Sequence, residues 1–141
     1  MSKFILLFLF CVNTFASIRV NVPSDWFQFT PKKLFNKKIR IYAPKSKTEK
    51  NIKVTHQVIK YKPFYQDQER EQFYQCQTNA KTLKTEFEEH TVNNINICYL
   101  KDKAMALIVI PDKKEFHTFK FTNFKTPEEV KLFFKGLSHE K

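Results

Sequence analysis

Apolar and polar positions along this chain fall first into a block, then alternate, then step by three and four, then alternate again. Nine unbroken apolar residues, Phe4 to Val12, follow Lys3. Ile18, Val20 and Val22 then alternate with Arg19 and Asn21, the period of a half-buried strand, which Pro23 ends. Ser24 and Asp25 read as a turn, and Trp26, Phe27 and Phe29 return the chain to apolar packing. Ile39 and Ile41 predict a second short strand closed by Pro44, and the polar stretch Lys45 to Asn51 suits a hairpin loop. Ile52, Val54, His56 and Val58 share one face of a third strand running to about Tyr61.

The period then changes. Phe73, Cys76, Ala80, Leu83 and Phe87 form one stripe of a helix over about 66–89, with Gln, Glu, Lys and Thr on its other faces. Glu86, Glu88 and Glu89 would then crowd its C-terminal end, where negative charge opposes the helix dipole. After Asn93-Asn94 come three strands in quick order, Ile95 to Leu100, Ala104 to Ile110 and Phe116 to Phe121. The middle one is apolar throughout and reads as a central strand covered on both faces. Thr126-Pro127-Glu128-Glu129 is a helix start, with Thr as cap and Pro in the first position, and Val130, Phe133, Phe134 and Leu137 supply the buried side. Short connections between strands imply hairpins, so the expected fold class is α+β: an antiparallel sheet of about six strands flanked by helices.

The opening block has the three parts of a secretory signal: a positive charge, a short apolar run, and small residues on either side of Phe15. It predicts a leader over residues 1–16, cleaved after Ala16, and one domain over 17–141, placed in the periplasm or outside the cell. The apolar run is far short of the ~20 residues a spanning helix needs, and the remainder of the chain holds none longer. Export makes Cys76 and Cys98, the two cysteines beyond the leader, candidates for a disulfide, with two buried thiols as the alternative. Neither they nor the scattered histidines have metal-ligand spacing, and no cofactor motif is present. A single glycine, Gly136, excludes every function that needs a glycine-rich phosphate cradle.

Two segments near the ends carry a resemblance. Val22-Pro23-Ser24-Asp25-Trp26 follows a strand, and Phe116-His117-Thr118-Phe119-Lys120-Phe121-Thr122 precedes a helix closing on Phe134-Lys135-Gly136-Leu137-Ser138. In these features the chain resembles the PsbP/Mog1-like group, including its bacterial periplasmic members. The resemblance implies an α/β/α sandwich used as a non-catalytic accessory or binding module, and it transfers no catalytic residue. The basic hairpin and the cysteine pair depart from that pattern.

Charge adds a second candidate chemistry. Lys and Arg total 25 against 14 Asp and Glu, a net charge of +11. Lys32, Lys33, Lys37, Lys38, Arg40, Lys45 and Lys47 are candidates for attracting an anionic polymer or lipid surface, interleaved with Phe35, Tyr42 and Tyr61 along one end of the first strands. Lysine far outnumbers arginine, which suits loose electrostatic attraction over specific phosphate recognition, and export makes nucleic acid the least favoured partner. A lysine-rich composition that merely solvates the surface is the competing explanation. Trp26 and Phe35 are the candidates for contact with a protein partner or envelope surface. His56 and His117 lie on strand faces that could bring them together, or beside Glu115 or Glu49, as an acid/base pair of a small hydrolase. That reading requires the two rings to meet in a cleft. A non-enzymatic binding protein of the cell envelope is the leading expectation.

Overall fold

The structure is a computed structural model that describes residues 14–15, 17–30, 37–45 and 52–139. Its strands are β1 (Thr14–Phe15), β2 (Ile18–Val20), β3 (Trp26–Phe29), β4 (Lys37–Pro44), β5 (Lys53–Lys60), β6 (Phe87–Val92), β7 (Ile95–Leu100), β8 (Met105–Ile110), β9 (Glu115–Thr122) and β10 (Leu137–His139). Its helices are α1 (Gln68–Leu83) and α2 (Pro127–Phe134). Seven strands form one antiparallel sheet in the order β3-β4-β5-β9-β8-β7-β6, and β1, β2 and β10 form a small second sheet. The fold is therefore α+β, as the hydrophobic pattern predicts, but the main sheet holds only five of the six expected strands: the first, β2, lies in the small sheet, and β3 and β6 are added.

The alternation along β9 explains the layering. Glu115, His117, Phe119 and Phe121 are buried on one face, and Phe116, Thr118 and Lys120 point to the other. The first face joins Tyr42, Val54, Ile97 and Ile108 beneath Val130, Phe133 and Phe134 of α2. Cys98, Leu100 and Leu107 turn the opposite way and pack under Cys76 and Ala80 of α1. Each helix thus covers one face of the sheet. Strand β8, buried at five of its six positions, is sandwiched as its unbroken apolar run requires.

Three expectations are corrected. Helix α1 ends at Leu83, because Lys84 adopts a left-handed conformation (φ 54°) and its N–H turns back to the carbonyls of Ala80 and Lys81. Phe87 therefore lies in β6 and meets Phe73 from a neighbouring strand, with ring centroids 6.3 Å apart. Phe73 and Leu83 are exposed, and the buried side of the helix is Gln72, Cys76 and Ala80, with Glu71. The acidic residues expected at a helix end lie in or beside a strand, where Glu88 pairs with Lys101 at 2.6 Å and with His90 at 3.0 Å. Lastly, Leu137 belongs to β10, after α2 has ended.

The cysteine pair forms a disulfide that ties α1 to β7, with Cα atoms 5.7 Å apart and a sequence separation of 22. We expect reduction to lower unfolding stability by about 3 kcal/mol, by releasing that loop in the unfolded chain, and Cys76→Ser to reproduce the loss in urea titrations.

Gly136 sits where α2 hands over to β10, and Asn21 N–H donates to its carbonyl at 2.9 Å. A Cβ at this position would stand 2.1 Å from the Asn21 carbonyl oxygen. Gly136→Ala should therefore push β2 and β10 apart and cost about 2–3 kcal/mol, read as a lowered urea midpoint.

Candidate functional site

The chemistry expected of the histidines is partly assembled. Strands β5 and β9 pair so that His56 lies opposite Phe119 and His117 opposite Val58, which sets the two rings diagonally on one face. His56 Nε2 is 2.8 Å from His117 Nδ1, and His117 Nε2 is 3.1 Å from Glu115 Oε1. The His56 ring also stacks on Phe119 at 4.0 Å. If Glu115 accepts, as a carboxylate does, then His117 carries its proton on Nε2 and takes the His56 Nε2–H on Nδ1. One direction of donation thus runs His56 to His117 to Glu115.

Burial sets the charge states. Burial, then His117, then the Arg40 guanidinium hold His56 well below the ordinary imidazole range. Burial lowers His117 too, against the upward pull of Glu115. Burial alone would raise Glu115, but the bonds from His117 and Ser17 outweigh it and leave the carboxyl below its ordinary range. Both imidazoles are 0 % exposed, and neither lines either of the two cavities described below. The rings meet as a hydrolase would need, but in the core of the sheet and not in a cleft.

This arrangement makes the fold acid-sensitive. Both histidines have lower pKa values folded than unfolded, so near and below pH 6.5 the unfolded chain binds more protons. Their contribution is complete above that pH and is lost as the pH falls, at about 1.4 kcal/mol per pH unit for each imidazole that charges on unfolding. Glu115 adds a loss in the same direction at lower pH, since its folded pKa is depressed. Urea midpoints should fall from pH 7.5 to 5.5, and replacing both histidines with His56→Leu and His117→Phe should flatten that slope.

Trp26 lines a cavity of about 280 Å³ with Asn21, Pro23, Asp25, Ile52, Phe124, Glu129, Leu132 and Phe133. The Pro23–Trp26 turn, closed by Trp26 N–H to the Pro23 carbonyl at 2.9 Å, aims the indole at this site. Phe124 stands edge-on to the indole at 6.4 Å. Leu132 faces outward from α2 and is 63 % exposed. The walls are mostly apolar, with the carboxylate-bearing Asp25 and Glu129 among them. A second cavity of about 280 Å³, between α1 and β6, is polar and lined by Glu69, Gln72, Phe73, Glu89, His90, Thr91, Asn96 and Ile97. Among the described residues no group of three or more acidic, histidine or cysteine side chains is placed to hold a metal ion.

Among the described residues the basic candidates do not gather at one end. Lys37 and Lys38 start β4 and Lys45 follows its end, so the strand's length of about 25 Å separates them. Arg40 pairs with His56 in register and shares its inward face, beside Tyr42. Tyr42 is 1 % exposed, a core residue that cannot interleave a surface patch, and burial pushes its phenol up to about 12. Lys60 is bonded to the Lys113 carbonyl at 2.9 Å and lies 3.8 Å from Glu115. Lys32, Lys33, Phe35 and Lys47 lie outside the described residues, as do Glu49 and the body of the expected basic hairpin.

Polar residues of α1 escaped the sequence reading. Glu71 is 0 % exposed and accepts from the backbone N–H groups of Phe64 and Tyr65, from the Tyr61 hydroxyl and from Gln75. Those bonds fix the loop before the helix, where Phe64 stacks on Tyr74 at 4.9 Å and is itself 67 % exposed. The stripe of apolar residues concealed this role, because Glu71 lies beside it.

Comparison with protein-family models, with curated proteins and with solved structures returns no match for this chain.

Proposed function

We propose that this chain is a small exported binding module of the cell envelope, non-catalytic and of the PsbP/Mog1-like kind, that engages a protein partner at the Trp26 cavity. The observation that carries the reading is the cavity itself: an open apolar site of about 280 Å³ beside an outward-facing leucine, at the Trp26 position expected to meet a partner. The disulfide suits an oxidising compartment, and among the described residues no helix is long and apolar enough to cross a membrane. The leader-like residues 1–16 supply the route. The helix–sheet–helix layering is of the kind the PsbP/Mog1-like resemblance implies.

The second reading rests on the net charge of +11 and gives the partner role to an anionic polymer or membrane surface. Because Trp26 is the chain's one tryptophan, labelling the chain with 5-fluorotryptophan gives a single 19F resonance that separates the two. Solubilised envelope proteins, which carry no label, should shift the Trp26 resonance. The shift should persist in about 0.5 M salt, where surface charge is screened within a few ångströms, and Leu132→Glu should weaken binding at least tenfold. A response confined to anionic vesicles or polymer, and abolished by salt or by Lys38→Ala with Lys45→Ala, would favour the basic surface instead.

A further inference from the structure

The N–H of Ser17 donates to Glu115 Oε1 at 3.1 Å, across 98 residues of sequence. Glu115 is 6 % exposed and already receives His117 on the same oxygen, while Lys60 stands 3.8 Å from the other. Ser17 is also the residue that follows Ala16, at the end of the leader-like segment. Nothing about signal cleavage requires the next residue to meet a nearly buried carboxylate on the main sheet.

We propose that the Ala16–Ser17 bond is a processing site whose product is built into the fold: leader removal converts the Ser17 amide into an α-ammonium that pairs with the Glu115 carboxylate. This rests on the export reading and goes beyond it, by giving the new chain end a docking site. Hydrolysis consumes one water. Ala16 leaves with the carboxylate, and the Ser17 amine takes up a proton at neutral pH. Where the amide offers one N–H, the ammonium offers three and a full positive charge, so the contact becomes a charge-assisted bond in a largely dry setting.

Processing also removes β1, which pairs with β2 through Thr14 with Arg19 and Phe15 with Ile18. Strand β2 keeps its pairing with β10, and the ion pair at Ser17, the residue before it, takes the place of the lost pairing with β1. The groups facing the new terminus are Glu115 and His117 of β9 and Lys60 of β5, with His56 behind His117. Two cations then flank Glu115, which reinforces its ionised form and its acceptance from His117.

The test compares chains released from a fusion so that they begin at Ser17 or, one residue longer, at Ala16. Each is made with Glu115 and with Glu115→Gln. With Glu115 in place the Ser17 form should melt about 5 °C above the Ala16 form, and Glu115→Gln should abolish that difference. Equal melting of the two forms, or a difference that survives Glu115→Gln, overturns the proposal. Should Glu115→Gln fail to fold, titration of the Ser17 amine by NMR decides: a pKa above that of the same amine in the denatured chain supports the pair, and an unchanged one overturns it. Intact mass of the naturally exported protein tests the export reading separately. A mass beginning at Ser17 supports it, and a different first residue overturns the processing site whatever the melting comparison says of the ion pair.

Discussion

The main sheet depends on one long-range pairing. Strands β3, β4 and β5 are neighbours in both sequence and sheet, and so are β6, β7, β8 and β9. Among the described residues, the strand pairing that joins the two halves is the eight pairs from Lys53 with Thr122 to Lys60 with Glu115. A slip of one residue along this seam would turn Val54, His56 and Val58 to the wrong face, so register is strongly specified. The His56–His117 bond and the Lys60–Glu115 contact lie on the seam itself. Misaligned pairing would leave the buried imidazoles of His56 and His117 and the Glu115 carboxylate without the partners they have, which penalises alternatives more sharply than apolar packing can.

Polar side chains do similar work on the other face. Strands β7 and β8 pair only from Cys98 with Leu107 to Leu100 with Met105. Beyond that point Gln72 donates to the Leu107 carbonyl at 2.9 Å and accepts from Val109 N–H at 2.8 Å, while Gln68 donates to the Val109 carbonyl at 3.1 Å. Helix α1 therefore satisfies backbone groups that β7 does not reach, and the disulfide pins the same helix one turn further on. The helix is held by hydrogen bonds and one covalent link as much as by its short apolar face of Cys76 and Ala80.

How much of this could be read from the residues differs from element to element. The alternation of Val54, His56 and Val58, the apolar run of β8 and the Thr126-Pro127 start each rest on a local rule, and the structure follows them. The end of α1 was hidden because Phe87 continues the helical spacing by coincidence, and the stop is a left-handed lysine where a glycine would have announced it. With a single glycine in the chain, the left-handed positions among the described residues fall to Lys84, Asn93, Asn94, Ala104, Lys114 and Asn123, and only the asparagines advertise the conformation. For the candidate site, the shared strand faces of His56 and His117 were legible, but their burial was not, because it is set by which strands become neighbours. The Trp26 turn was readable locally. The cavity is not, since Phe124, Leu132 and Phe133 come from the far end of the chain.

Strand β3 is an edge of the seven-stranded sheet, and its Phe27 and Phe29 are stacked at 5.7 Å and more than two-fifths exposed. A short aromatic edge of this kind is a template on which a second sheet can grow. Like charges on every copy oppose that encounter over distances set by ionic strength. The lysine excess then has a colloidal consequence independent of any ligand: it keeps molecules with a sticky edge apart in solution.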